Sequence, residues 1–378
     1  MRNRLAKLTL RGFKTIRKLE DFDPRSLTVL IGPNGAGKTN LISFFRLLSW
    51  TLTPPGGLQR HVAELGGASV LLHDGPARTR EIDAALTVVS QAGENEYEFR
   101  LFHAAGDTLI YAGEKFRFSG SGFPSKALWT SLGAGHREPG LIAKAETGDK
   151  TARAIHSMLR KIIIHQFHNT SITSRMRDKW AADEGQWLKE DAANLAPFLY
   201  RLRNSEPGYY RPIVETVRLV LPFFSDFELE PEYGRLLLRW RESGNDLIFS
   251  ASQAADGMLR VMALVSLLLQ PERGLPDVLI LDEPELGLHP YAIEVIAGLI
   301  RSVSTQVQVV VATQSVSLID RFQPEDIVVV DRSERQSTFR RLNAPELKLW
   351  VDEYTLSQLW EKNVIGGRPS RDPVAPGR

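Results

Sequence analysis

Apolar positions along the chain switch between two spacings, and each switch marks an element. Leu27–Ile31 is a continuous apolar run, and after a glycine-rich stretch Leu41, Ile42, Phe44, Phe45, Leu47 and Leu48 recur at helical spacing. That pattern predicts strand, loop and helix. Residues 278–281, 307–312 and 327–330 are short apolar runs of the kind that form buried parallel strands, with a helix over 291–303 between the first two. Residues 82–88, 97–101 and 109–118 alternate apolar with polar, with turn signals at Ala92-Gly93 and Ala105-Gly106-Asp107, and predict an antiparallel meander. Period two returns over 223–249, and 258–269 is apolar nearly all round, as a buried helix is. Helices are expected over 151–164 and 191–202, while Pro197, Pro207 and Pro212 forbid a long unbroken heptad run. The stretch "ELKLWVDEYTLSQLWEKNVIGGRP" reads as a helix with a Gly-Gly-Arg-Pro stop, and the last ten residues as a tail.

Composition narrows the function classes. The 378 residues carry 47 Lys and Arg against 45 Asp and Glu, a balance of +2 that gives no global attraction to nucleic acid or an anionic membrane. Any basic surface must be local. The chain has no cysteine, which excludes disulfides, thiolate metal sites and thiol nucleophiles. No stretch approaches the ~20 apolar residues of a membrane span. A cytoplasmic protein is expected.

The glycine-rich stretch is "GPNGAGKTN", Gly32 to Asn40. Glycines here let successive backbone N–H groups point into one cavity at a helix N-terminus, where the dipole favours phosphate. Asn34, Gly35, Ala36, Gly37, Lys38, Thr39 and Asn40 are the expected nucleotide contacts, with Lys38 on the outer phosphates and the Thr39 hydroxyl on Mg²⁺. ATP or GTP fits equally at this point. "LILDEPELGLHP" supplies two acids at a strand end. Asp282 is expected to hold Mg²⁺ through water, and Glu283 to polarise the attacking water. The run 307–312 ends in "TQS", with Gln314, and "AADGMLRVMALV" places Asp256 and Gly257 at the mouth of the buried helix, about 25 residues ahead of Asp282.

Taken in order, "RGFKTI", "GPNGAGKT", "ADGMLR", "LILDEPELGLHP" and "VVVATQS" resemble the motifs of ABC-type ATPases of the soluble SMC, RecF and OLD-like class, in a compact form without a TOPRIM nuclease domain. The resemblance spans most of the chain. It implies an α/β fold: a P-loop NTPase with an ABC-type core of parallel sheet plus antiparallel β meander, and a helical insertion lobe. The expected division is 1–149 with the P-loop and meander, 150–222 as the helical lobe, 223–345 with the remaining motifs, and 346–378 as a C-terminal helix and tail. Asp256-Gly257 is then the signature motif, which acts on the γ-phosphate of the other subunit, so that ATP and Mg²⁺ close a homodimer. Two departures point to slow hydrolysis. Ala255 stands where a serine hydroxyl is usual, unless Ser252 moves in, and Gln314 replaces a switch histidine, so it can donate but cannot carry charge. "IIIHQFHNTS" offers Gln166 for the loop joining the core to its helical lobe. His165 and His168 fall on opposite faces of a strand and are expected to be structural or exposed rather than metal ligands.

Only about 215 residues separate Thr39 from Ala255, so the arm is a compact lobe. Residues 151–218 hold eleven Lys and Arg against seven Asp and Glu, with Trp180, Trp187, Tyr209 and Tyr210 among them. Such a surface can take DNA phosphates through residues such as Arg175, Arg177 and Lys179, or can be solvated faces around an aromatic cluster. Asp226, Glu228, Glu230 and Glu232 form one acidic row, read as the wet side of an edge strand. Without converging acids for an intrinsic nuclease, the expectation is a switch acting on DNA or on a separate effector, such as a nuclease, in DNA repair or defence against foreign DNA. The alternative is a nucleotide-gated scaffold with negligible hydrolysis.

Overall fold

The computed structural model describes residues 3–52, 56–121, 127–343, 345, 347 and 353–367. Its centre is a six-stranded sheet in the spatial order Gln336–Arg341, Ile327–Ser333, Leu27–Ile31, Gln308–Thr313, Val278–Asp282 and Ile162–His165. All neighbours are parallel except the first pair, a hairpin that closes one edge antiparallel. Alternate residues of each strand feed two cores. Val29 and Ile31 pack on one face and Leu30 on the other, as do Leu279 and Leu281 against Val278 and Ile280. Burial on both faces is why these strands read as unbroken apolar runs.

One face is covered by the helix Lys38–Thr51 and by a second six-stranded sheet. This is the expected meander, Glu81–Ser90, Gly93–Ala104 and Thr108–Gly120, extended by Arg4–Phe13 and Ile16–Phe22 at one edge and by Thr130–Gly133 at the other. Both turns fall where the sequence placed them, with Gly93, Gly106 and Asp107 at positive φ. The opposite face takes the helices Asp256–Leu268 and Pro290–Ser304, then the helices Leu195–Ser205 and Pro207–Val220 with a small sheet of Phe224–Phe227, Arg239–Glu242 and Ile248–Ser250. His289 caps the helix Pro290–Ser304, with Pro290 in its first turn.

The boundaries expected at 150 and 223 do not follow the packing. The helix Lys150–Leu159 buries Ala152, Ile155 and Leu159 with the meander core, and Ile162–His165 is an edge strand of the central sheet. The amphipathic stripe of that helix needs an apolar surface, and the meander supplies one. Conversely, Phe224, Phe227 and Trp240 share a core with Ile213 and Val217 of the helical lobe. Pro212 lies inside the helix Pro207–Val220 rather than ending it. Of the expected C-terminal helix, Leu356–Glu361 is helical, while 346 and 348–352 lie outside the described residues. No described helix is long and apolar enough to cross a membrane.

Candidate nucleotide site

Four adjacent strands of the central sheet end on the same side, and each delivers one part of the site. Leu27–Ile31 leads into the glycine loop, Gln308–Thr313 into Gln314, Val278–Asp282 into Glu283, and Ile162–His165 into Gln166. Parallel strands guarantee this convergence, because their carboxyl ends all emerge at one edge of the sheet.

The glycine loop is held from below. A Cβ on Gly37, at φ 123°, would lie 2.1 Å from Ser337 Oγ, and one on Gly32 would lie 2.2 Å from the Val330 carbonyl. Only glycine lets the loop settle on the edge hairpin while its N–H groups stay turned outward. Ser337 Oγ shares a 2.6 Å hydrogen bond with Thr15 Oγ1, which also accepts from Asn40 Nδ2 at 2.6 Å. The "KT" of the amino-terminal hairpin therefore supports the loop. Lys38 is buried, its Nζ donating to the carbonyls of Gly32 and Pro33 at 2.6 and 3.2 Å. Burial pulls its pKa down, against the opposing charges of Glu283, Asp282 and Glu285. Asn34, Gly35 and Thr39 are exposed, Ala36 is buried, and Asn40 is half-buried.

Asp282 and Glu283 diverge where the strand ends. Asp282 Oδ2 accepts from Gln166 Nε2 at 3.1 Å, and its backbone carbonyl is 3.0 Å from His168 Nε2. Burial pushes the Asp282 carboxyl above its ordinary range, with Glu283 adding to the effect and His168, Arg46 and Lys38 opposing it. Glu283 takes a left-handed φ of 45°, its N–H donating to the Ala312 carbonyl at 2.8 Å. That turn sends its side chain to Gln314, whose Nε2 donates to Glu283 Oε1 at 2.6 Å. A strained non-glycine residue at a strand end marks the kind of position where function over-determines conformation.

Gln166, expected in the connecting loop, reaches the Asp282 carboxylate. His168, which the sequence reading took as structural, belongs to the same cluster, since Gln166 Nε2 also lies 3.0 Å from His168 Nδ1. His165 is the structural one: buried beside Phe167, with burial pulling its pKa down to about 4. Arg46 also escaped sequence reasoning. It donates to Gln166 Oε1 at 3.0 Å and lies seven residues after Thr39, on the same helical stripe. That spacing was the available signal.

The Asp256-Gly257 element is built differently from the rest. Ala255 is the N-cap of the helix Asp256–Leu268, and no side chain caps it. The first N–H groups of a buried helix are thus left for a partner outside it. Ser252 is engaged with Ser250 Oγ at 2.7 Å in the preceding turn. Asp256 pairs with Arg177 at 3.3 Å. Gly257 has a role within its own chain, because a Cβ there would meet the Gly287 carbonyl at 2.7 Å. Buried Arg260 completes the junction, donating to the carbonyls of Phe167, Leu286 and His168 at 2.9–3.0 Å.

The expected DNA-contacting cations are committed internally. Arg177 donates to the carbonyls of Thr170, Ser171, Ala251 and Ala254 and is largely buried. Lys179 pairs with Glu232 at 2.9 Å, and Arg175 pairs with Asp191 at 3.2 Å and lies over Trp180. The acidic row is the counterpart: Glu228 pairs with Arg241, Glu230 with Arg203, Glu232 with Arg239, and Asp226 accepts from Tyr210. Charges spaced along sequence as like-signed runs were paired across the lobe by folding.

Residues 27–320 match the family described as "AAA domain, putative AbiEii toxin, Type IV TA system". Among solved structures, the chain is similar to an SMC head bound to the C-winged helix domain of ScpA, at 15% identity and TM-score 0.59 over 92% of this chain and 99% of that one. It is also similar to an SMC head domain with an extended coiled coil bound to the C-terminal domain of ScpA derived from Pyrococcus furiosus, at 15% identity and TM-score 0.57 over 93% and 99%. These likenesses carry the fold. With most of its length inside the matched family, the chain belongs to that AAA-domain family, and its fold is that of an SMC head.

Proposed function

We propose that the chain is a dimeric switch that closes on Mg²⁺-ATP and reopens after slow hydrolysis. The observation that carries this reading is the convergence of Lys38, Gln166, Asp282, Glu283 and Gln314 on four neighbouring strand ends. The donor set fits the ligand: a glycine loop with a buried lysine for phosphates, and an exposed Thr39 and a buried Asp282 carboxylate to hold Mg²⁺. Mg²⁺ supplies charge neutralisation on the outer phosphates. Glu283 is the general base for water, and the Gln314 amide fixes the direction of its carboxylate. Because glutamine carries no proton between states, turnover is slow. The uncapped N-terminus of the helix Asp256–Leu268 is suited to a phosphate held by the other subunit.

Closure must act on something. The SMC heads to which the chain is similar carry domains of ScpA, and the matched family is described by a toxin of a toxin–antitoxin system. Both support a separate effector docked on this ATPase, held or released as the dimer closes, in a cytoplasmic role such as defence against foreign DNA or DNA repair. Any DNA contact falls to exposed cations such as Arg175 and Lys179, since Arg177 is buried on carbonyls of its own chain.

The scaffold alternative keeps the same binding but discards turnover, and Ala255 and Gln314 favour it. Phosphate release by purified chain, compared with Glu283→Gln, decides between them. Release above that variant supports the switch; equal rates favour the scaffold. Absence of ATP binding by the wild-type chain would remove both.

A further inference from the structure

Three residues past Asp282, Glu285 turns a side chain back toward the site from the loop that carries the exposed Leu286. Its Oε1 accepts the Thr313 hydroxyl, the backbone N–H groups of Glu285 and Gln314 face the same carboxyl, and Oε2 is buried without a hydrogen-bond partner. Burial raises its pKa against the hydrogen bonds that hold it. Thr313 Oγ1 in turn accepts the Ser315 N–H at 2.9 Å, and Ser315 Oγ accepts from Leu318 N at 3.3 Å to cap the short helix Val316–Ile319. Gln314 thus sits in a turn fastened on both sides, with its amide on Glu283 Oε1 at 2.6 Å. Remove the Glu285 carboxyl and the Thr313 hydroxyl loses its acceptor, leaving that turn anchored on one side only.

We propose that Glu285 is a positioning residue for ATP hydrolysis: it anchors the turn from Thr313 to Ser315 so that Gln314 holds the Glu283 carboxylate in its working direction. This rests on the hydrolytic reading given above. Glu285 acts through Gln314, so its loss misplaces the base without weakening the hold of the glycine loop on the phosphates.

Steady-state ATPase measurements test it. Glu285→Ala lowers kcat by about ten- to a hundredfold, as misplacement of a reacting group does, while KM for ATP stays within about twofold. Glu285→Gln keeps the acceptor for Thr313 and restores most of kcat. The double variant Glu285→Ala/Gln314→Ala falls no further than Gln314→Ala alone, because both changes cut one chain of contacts. An alanine variant with wild-type kcat, a glutamine variant as slow as alanine, or additive losses would overturn the proposal. Absence of turnover in the wild-type chain would count against the hydrolytic reading instead. The anchor is then read from the Gln314 side-chain amide in ¹⁵N-glutamine-labelled protein. Its resonance shifts in Glu285→Ala and holds in Glu285→Gln; an unmoved signal in the alanine variant would overturn the inference.

Discussion

At the residue scale, the site combines groups whose charges are held against their solvation. Asp282 has its pKa raised by burial, so in the nucleotide-free protein the ionised form is a cost of folding. The sign follows: this cost vanishes below the carboxyl's ordinary value of 3.8, grows as pH rises toward its folded value, and is constant above that. Asp282→Asn should therefore raise the stability of the nucleotide-free chain at neutral pH by about 1 kcal/mol, the usual yield of relaxing a functional site, while weakening Mg²⁺ dependence. Thermal melts between pH 5 and 8 check this, with the gap between the two proteins narrowing toward acid. A less stable variant at pH 8 would contradict it. Lys38→Ala should abolish nucleotide binding, measured with a fluorescent ATP analogue, because it removes the buried ammonium that the loop closes around. The glycine loop, Asp282, Glu283 and Gln314 were legible in sequence because each follows an apolar strand. His168 and Arg46 were not. Their partners are Asp282 and Gln166, 114 and 120 residues away, and no local pattern encodes a contact of that span.

At the element scale, the helix Asp256–Leu268 is tied to the loop after Glu283 by the close approach of Gly257 to Gly287 and by Arg260, while Arg177 clamps the segment that leads into it. Gly257→Ala should cost about 1–3 kcal/mol, since its Cβ is driven into a backbone carbonyl. That outcome would separate packing within the chain from a role across a dimer. Arg177 reads in sequence as one cation in a basic run, yet it satisfies four carbonyls. Arg177→Ala should cost about 2 kcal/mol or more through unpaired polar groups, whereas Arg175→Ala, in an exposed pair, should change stability by about 0.5 kcal/mol or less. Urea denaturation of both variants distinguishes a clamp from a nucleic-acid contact; equal, negligible effects would contradict the clamp. The meander was legible because half-buried antiparallel strands alternate. The lobe boundary was not, since the helix Lys150–Leu159 looks the same whichever apolar surface receives its stripe.

At the scale of the whole molecule, the parallel order of strands brings the sequence motifs to one edge, while the partners described for Asp256 and Gly257 are Arg177 and Gly287 rather than the glycine loop. That arrangement is what the proposed dimer explains: each chain carries a phosphate cradle and, elsewhere, an uncapped helix end for the phosphate of another. Closure then depends on ATP through the difference in affinity between open and closed states. Glu283→Gln keeps every contact to phosphate and loses only the base, so it should trap the closed form. The decisive measurement is the mass of Glu283→Gln in solution by size exclusion with light scattering, with and without saturating Mg²⁺-ATP. The account predicts a shift from the 42.3 kDa chain to twice that mass only when ATP is present, and none when Lys38→Ala is added. An unchanged monomer at saturating ATP would contradict it.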